Sequence, residues 1–303
     1  MKFLSCLSTI FSSAALLSSC AVSPNPIVVD QTLKADLQSE INRISPDLLY
    51  CDGMTTGTHK NNIDGRLKCD TGDGMYRQGW AIGIGAHGDF QSIMNSISED
   101  GRPWRSPSYV NKDKSDSFSR DQLLGFLLAT AKTGNTEPLA KVYKYFKANN
   151  YKMCKPDTDG KCNITDFFHV TMAKLLGEKV NPLSVTAITR TMLIEAKVVT
   201  SGYTTTLIAD KIYLLSLLGY SDTNMMEAAT KIHSNYPSNI WYNTVYHLTT
   251  LQNSDFNKPA AQLLACMKQW KTPGNDWAWN TETNHCTTST GHELVALAKL
   301  FVK

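Results

Sequence analysis

Apolar residues recur every three or four positions through most of the chain after residue 118, which is the spacing of helices with one buried face. The pattern predicts nine helices, over residues 119–133, 136–149, 164–177, 183–199, 204–219, 223–234, 239–252, 255–271 and 289–302. Turn residues separate these segments, as at Gly134 and Gly219. Strand patterns are scarce, and the best short one, residues 198–200, coincides with a predicted helix end. We therefore expect an all-α fold.

Two segments ahead of residue 118 also show helical spacing. Residues 30–44 align their apolar side chains on one face. Residues 79–97 carry internal glycines at positions 83, 85 and 88, which are costly in a helix, so we expect a closely approaching backbone or ligand there, or an irregular segment. Between the two segments, residues 51–73 form a polar stretch that predicts a loop with little to bury.

Helices of two kinds alternate along the chain, which predicts two layers. Those that are apolar around most of their circumference must be covered on both sides, and they contain residues 123–131, 212–218 and 294–301. Those with a single apolar face are 136–149, 223–234 and 255–271. Over residues 75–303 this alternation resembles the α/α toroid, or (α/α)6 barrel, in which helical hairpins close into a ring. An open helical solenoid is the alternative, although no fixed-period repeat is present. We expect one toroid domain over residues 30–303.

The N-terminus predicts export. Residues 1–19 combine Lys2 with an apolar, serine-rich run that is too short for a final membrane span. The sequence Leu-Ser-Ser-Cys-Ala, ending at Ala21, resembles the lipobox of bacterial lipoproteins. The resemblance implies cleavage before Cys20, acylation of Cys20 with groups such as palmitate, and a tether over residues 20–29. Because Ala21 is not an aspartate, it also implies an anchor in the outer membrane. The alternative is an ordinary signal peptide that releases a soluble protein.

Cysteine spacing predicts disulfide-braced loops. Outside the signal and the lipobox, six cysteines fall in three neighbouring pairs: Cys51 with Cys69, Cys154 with Cys162, and Cys266 with Cys286. Each pair spans a short polar segment, and an exported chain meets oxidising conditions, so we expect three local disulfides. No C-x-x-C or histidine-rich spacing accompanies them, and we expect no metal site.

Charge and motifs narrow the classes of function. The net charge of +3, without a basic stripe, argues against a nucleic-acid partner. No G-x-S-x-G, P-loop or H-E-x-x-H motif is present, which disfavours a serine hydrolase, an NTPase and a zinc protease. A G-x-G pattern at Gly83 follows no predicted strand, so we expect no nucleotide or other cofactor.

The sequence Gly-Arg-Pro-Trp-Arg-Ser-Pro, at residues 101–107, predicts a loop that precedes a helix beginning near Ser119. The loop and the helix entrance supply five candidate residues for a polar ligand, namely Arg102, Trp104, Arg105, Arg120 and Asp121. A sugar ring can stack on the flat face of a tryptophan, and an arginine can donate paired hydrogen bonds to a carboxylate, sulfate or phosphate. A carboxylate suits the first turn of a helix, so we take Asp121 as the first catalytic candidate. The alternative is a buried Arg–Asp network that ties the loop to the helix.

Two further clusters could contribute to a site. His87 and Asp89 flank a glycine and could share a proton, which makes them the next catalytic candidates, with Tyr76 as a binding residue. Trp277 and Trp279 lie two apart in the 266–286 segment and could form a platform for sugars. The alternatives are a histidine in a purely structural hydrogen bond and tryptophans that cap the hydrophobic core.

The resemblance to the toroid implies a polysaccharide as partner, because that fold is known among glycoside hydrolases and polysaccharide lyases. We expect a lipid-anchored protein of the cell envelope that binds, and cleaves, an envelope or extracellular polysaccharide. The alternative is a non-catalytic surface lipoprotein that binds a glycan or a protein. The sequence leaves hydrolase, lyase and binder open.

Overall fold

The computed structural model of the protein describes residues 27–55, 57–60, 67–70, 72–112, 118–153, 162–198, 202–250, 255–279 and 284–303, and for residues 57–60 and 67–70 the backbone alone. The predicted signal peptide, Cys20 and Cys154 lie outside the described residues. The described chain is mostly helical, which confirms an all-α fold. None of its helices is both long and apolar enough to cross a bilayer.

Twelve α-helices are present in the described residues: α1 (Gln31–Ile44), α2 (Gly74–Gly85), α3 (Phe90–Met94), α4 (Arg120–Thr133), α5 (Glu137–Ala148), α6 (Asp166–Leu175), α7 (Pro182–Val198), α8 (Gly202–Leu217), α9 (Thr223–Asn235), α10 (Ile240–Thr249), α11 (Asn257–Gln269) and α12 (His292–Val302). Side chains that accept hydrogen bonds from the first turn mark several starts, such as Asp30 for α1 and Asp222 for α9. Gly134 and Gly219, both at positive φ, follow the ends of α4 and α8.

The spacing of residues 79–97 predicted one helix, but the structure does not have one there. Instead α2 ends at Gly85, and α3 begins at Phe90. Ala86 and Gly88 have φ values of +52° and +108°, which a helix cannot continue through. Asp89 then caps α3 by accepting a hydrogen bond from the backbone N–H of Gln91 at 2.9 Å.

The loop predicted over residues 51–73 is replaced in part by two antiparallel hairpins, so the prediction of a loop is corrected there. Strand β1 (Tyr50–Cys51) pairs with β2 (Met54–Thr55), and β3 (Gly57–Lys60) pairs with β4 (Leu67–Asp70). Asp52 and Gly53 turn the first hairpin with φ values of +54° and +75°. Asp-Gly is a strong signal for such a turn, because both residues tolerate positive φ.

The helices pack in two groups, as their apolar patterns indicate. Nearly every residue of α2 and α12 is buried, as is the run 122–130 of α4, whereas α1, α9 and α11 bury one face. Helix α2 lies between α4 and α12, α8 contacts α4 and α10, and α11 contacts α10, α12 and α1. The glycines of α2 serve this packing. A Cβ atom on Gly79 would lie 2.1 Å from the backbone oxygen of Gly125 in α4, so the two backbones are in direct contact.

Two further features bear on the domain and its bracing. Val28 pairs with Asp255 and Val29 is buried, so the last residues of the predicted tether pack on the domain. Cys266 and Cys286 form a disulfide with a Cα–Cα distance of 5.0 Å, as expected. Cys51 and Cys162 are also disulfide-bonded, while their pairing with Cys69 and Cys154 stays a prediction.

Candidate functional site

The first turns of several helices meet at one end of the molecule. Asp121 lies in the first turn of α4 and accepts a 2.5 Å hydrogen bond from the phenol of Tyr203, which lies in the first turn of α8. Gln122, next to Asp121, donates to Asp73 at the start of α2 at 3.3 Å and accepts from the backbone N–H of Tyr76 at 3.1 Å. The starts of α2, α4 and α8 are therefore held side by side.

The start of α10 reaches the same region, and α12 contacts α2 beside it. The phenol of Tyr242 in α10 shares its proton between two carbonyls, those of Gly202, the first residue of α8, at 2.9 Å and of Trp279 at 3.1 Å. Glu293, in the first turn of α12, is buried and lies 4.0 Å from the guanidinium of Arg77 in α2. Arg77 also donates to the carbonyl of Asn275 at 3.2 Å. Four helix starts, those of α2, α4, α8 and α10, thus surround one area, with residues 275–279 lying across it.

One edge of this area, which we call the rim, is acidic and partly exposed. It consists of Asp73, Arg105, Asp121 and Tyr203. Asp121 is half-buried and accepts hydrogen bonds from the hydroxyls of Ser119 and Tyr203. Arg105 donates to the carbonyl of Gly72 at 2.9 Å and lies 3.7 Å from the carboxylate of Asp73. Partial burial, then Asp121 and more weakly Asp73, raise the pKa of Tyr203 far above its usual range, so this phenol keeps its proton. Two acids, an arginine and a protonated phenol are therefore gathered.

Asp121 also borders a surface cavity of about 720 Å³ between α4, α6, α7 and α8. The cavity has a floor of apolar side chains, such as Phe167 and Met192, and a charged margin that includes Lys211 and Glu195. A volume of this size lies within the range of small-ligand sites. Asp121 is thus reached from an opening, and in the described part of the chain it forms no salt bridge.

A fully buried carboxyl lies behind the rim. Asp210, in α8, accepts hydrogen bonds from the phenol of Tyr76 at 2.6 Å, the indole of Trp241 at 2.8 Å and the indole of Trp80 at 3.0 Å. Burial raises the pKa of Asp210 to about 7, although the three hydrogen bonds act in the opposite direction. Burial and Asp210 together raise the pKa of Tyr76 well above its ordinary value. Tyr76 was expected in the site, whereas Asp210 was not.

The two late tryptophans are present at the site, but neither is an open platform. Trp277 is buried against Tyr76 and Trp80, with ring centroids 5.3 and 5.0 Å apart, and Arg77 lies 5.7 Å from its ring centroid. Trp279 is fully buried, and its carbonyl accepts hydrogen bonds from Thr206, Asn239 and Tyr242. Trp279 therefore anchors the covering segment, and Trp277 fills the space above Tyr76.

Trp104, Arg102 and Arg120 do not line the rim. Trp104 is buried, donates to the hydroxyl of Ser98 at 3.2 Å and is covered by Arg102, whose guanidinium lies 4.0 Å above the ring. Arg120 donates to the carbonyl of Asn163 at 3.2 Å, although it borders the cavity. Of the loop candidates, Arg105 alone reaches the carboxylates of the rim among these described contacts.

His87 and Asp89 lie at the other end of α2. This helix is 12 residues long, which corresponds to about 17 Å, so the pair is separated from Asp73 by the length of the helix. His87 is buried against His292 and Lys299, and Asp89 is the cap of α3. The structure therefore does not bring His87 or Asp89 together with Asp121, because the break after Gly85 turns the chain away.

Tyr203, Asp210 and Trp80 join the site without having been singled out in the sequence, and Trp241 belongs to an aromatic cluster with Tyr242 whose pattern is typical of helix packing. The signal for Asp210 is its position, since it is the acidic residue in the apolar run 207–218 of a buried helix. Among the described residues, no cluster of three or more histidine, cysteine or acidic side chains could hold a metal ion. No protein-family model, curated protein or solved structure matches the chain.

Proposed function

We propose that the protein is exported, is anchored to the outer membrane through acylated Cys20, and binds and cleaves a polysaccharide of the cell envelope or its surroundings. The single observation that carries this proposal is the pair of rim carboxylates. Asp73 and Asp121 begin neighbouring helices, and both influence one tyrosine, Tyr203, at the end where the helix starts gather.

The helix contacts support an α/α toroid. They run from α2 through α4, α8, α10, α11 and α12 and return to α2, which is the circuit expected of a closed ring. In such a ring the helices of one layer begin at the same end. A polymer could lie across that end without passing through the ring. Export is supported by the signal-like N-terminus and by the lipobox-like residues before Ala21.

The rim has the groups that glycosidic cleavage needs. A carboxyl group protonates the departing sugar oxygen, and a carboxylate stabilises the positive charge that develops on the ring. Asp73 and Asp121 divide these two roles. Arg105 lies beside Asp73 and offers an ionic contact to an acidic sugar. Tyr203, which keeps its proton, donates to Asp121 and fixes its orientation.

A polysaccharide panel tests this function. The soluble chain from residue 21 onward is incubated with neutral and acidic polysaccharides, and new reducing ends and the ultraviolet absorbance of unsaturated products are measured. We expect wild-type cleavage of at least one polymer, with Asp121→Asn and Asp73→Asn each slower by about 100-fold or more. Asp36→Asn, in the exposed face of α1, is the matched control and should retain the rate. Absence of both cleavage and binding across the panel would refute the proposal.

A non-catalytic glycan binder is the second candidate, and one observation favours it. Trp277 and Tyr76 are buried, so the aromatic surface suited to sugar stacking is covered. In that case polymers would bind the rim without turnover, and Asp121→Asn would weaken binding without changing any rate. Unsaturated products would instead identify a lyase, and saturated reducing ends a hydrolase.

A further inference from the structure

The buried carboxyl of Asp210 has no role in the rim chemistry described above. Its two oxygens accept hydrogen bonds from three side chains on two other helices, the phenol of Tyr76 and the indoles of Trp80 and Trp241. In the described part of the chain it forms no ion pair with a lysine or arginine. A buried carboxylate that is compensated only by neutral donors is costly, so a purely structural role is a poor explanation for it.

The groups that face Asp210 leave it able to exchange a proton near neutral pH. Tyr76 approaches from α2, Tyr242 from α10 and Tyr203 from α8 itself, and Asp121 of α4 acts on Tyr76 and Tyr203. None of these is a cation that would hold Asp210 ionised. Burial outweighs the three hydrogen bonds and brings the pKa of Asp210 to about 7.

We propose that Tyr76 and Asp210 form a proton relay that activates the attacking water in hydrolysis at the rim, with Tyr76 touching the water and Asp210 acting behind it. The inference rests on the proposed function. In the step, the water proton passes to the Tyr76 oxygen, and the Tyr76 proton passes to Asp210. The water oxygen bonds to the anomeric carbon, the bond from that carbon to the leaving oxygen breaks, and a rim carboxyl protonates the leaving oxygen. Asp210 ends protonated and the rim carboxyl deprotonated, so the charge balances.

Trp277 controls access to this relay. Its ring covers Tyr76, and its indole N–H has no hydrogen-bond partner among the described residues. Swinging the ring aside therefore breaks no hydrogen bond in that part of the chain. Trp279, two residues on, stays in position through three hydrogen bonds to its carbonyl, so the side chain of Trp277 can move without release of the whole segment.

The first test needs no substrate. In the full chain with ¹⁵N-labelled tryptophan, the indole N–H signals of Trp80 and Trp241 should shift together between pH 5 and 9 with one midpoint, about 7. Asp210→Asn should abolish both shifts, while the indole of Trp104, bonded to Ser98, serves as reference. Signals of Trp80 and Trp241 that stay constant from pH 5 to 9, or that still titrate in Asp210→Asn, would refute the relay.

The second test uses the polysaccharide that the wild type cleaves. Tyr76→Phe and Asp210→Asn should each lower kcat by about 100-fold or more, change KM by less than about threefold, and remove the acidic limb of the pH–rate profile. Asp210→Glu should restore part of the rate. Tyr213→Phe is the control, because this buried tyrosine has a single, 3.4 Å hydrogen bond within the described residues, to the carbonyl of Gly83. An active wild type whose rate and pH profile survive Tyr76→Phe refutes the relay, whereas an inactive wild type refutes the proposed function.

Discussion

Single residues show how this protein fixes the proton positions of its buried polar groups. His292 donates from Nε2 to the carbonyl of Leu49 at 2.7 Å, so its Nδ1 accepts from Nε2 of His87 at 3.0 Å. Nδ1 of His87 in turn accepts from the ammonium of Lys299 at 3.2 Å. Each ring is neutral in this chain of contacts. Burial, followed by His292 and Lys299, lowers the pKa of His87 to about 3, and burial lowers that of His292 to about 4.

Replacement of His87 should change how stability depends on pH. A histidine in the unfolded chain has a pKa near 6.5, so below that pH it is protonated, whereas His87 in the folded protein stays neutral. The free energy of unfolding therefore falls as the pH is lowered. The contribution of His87 is therefore complete above about pH 6.5 and is reduced by about 2 kcal/mol at pH 5. In urea unfolding at pH 7.5, His87→Gln should have a lower free energy of unfolding than the wild type. At pH 5 this difference should be smaller by about 2 kcal/mol. A gap of equal size at both pH values would contradict this account.

At the scale of elements, the apolar periodicity predicted most helices, because each must bury one face. It missed features that depend on single backbone conformations, such as the break at Ala86 and Gly88 and the hairpin turn at Asp52 and Gly53. The glycines of residues 79–97 led to an expectation of close backbone approach, and the contact of α2 with α4 confirms it. The sequence did not identify the helix that contacts these glycines, because α2 and α4 are separated by more than thirty residues.

Gly79→Ala tests that helix contact. A Cβ atom at this position would lie 2.1 and 2.2 Å from backbone atoms of Gly125, which cannot rotate away as a side chain could. In an exposed helix the same change stabilises by up to about 1 kcal/mol, whereas here we expect a loss of about 3 kcal/mol or more in the free energy of unfolding. Gly134→Ala, which meets no atom within 4 Å but has a φ of +72°, should cost only about 1–2 kcal/mol. Thermal or urea unfolding measures both, and equal losses would exclude a steric contact.

At the scale of the whole molecule, the site combines residues that the sequence identified with residues that it concealed. Asp121 could be predicted, because a carboxylate at a helix start beside a charged loop is a local pattern. Asp210 could not be assigned a role, since its three donors come from α2 and α10 and meet it only in the folded chain. Conversely, His87 and Asp89 are adjacent in sequence to α2 but lie at its far end, so proximity along the chain was misleading there.

The proposed anchor sets where this site would work, and Cys20 tests it. One acyl chain holds a protein on a membrane only marginally, whereas a lipoprotein cysteine carries several, so an acylated chain should stay in the membrane fraction. In a bacterial host fed labelled palmitate, the wild type should be labelled and sediment with outer membranes. Cys20→Ala should lose the label, while Cys6→Ser, within the predicted signal, should keep it. An unlabelled, soluble wild type with a mature N-terminus near Ala21 would instead establish an ordinary signal peptide. Since seven residues from Cys20 to Pro26 span at most about 25 Å, an anchored domain would act on polymers close to the membrane.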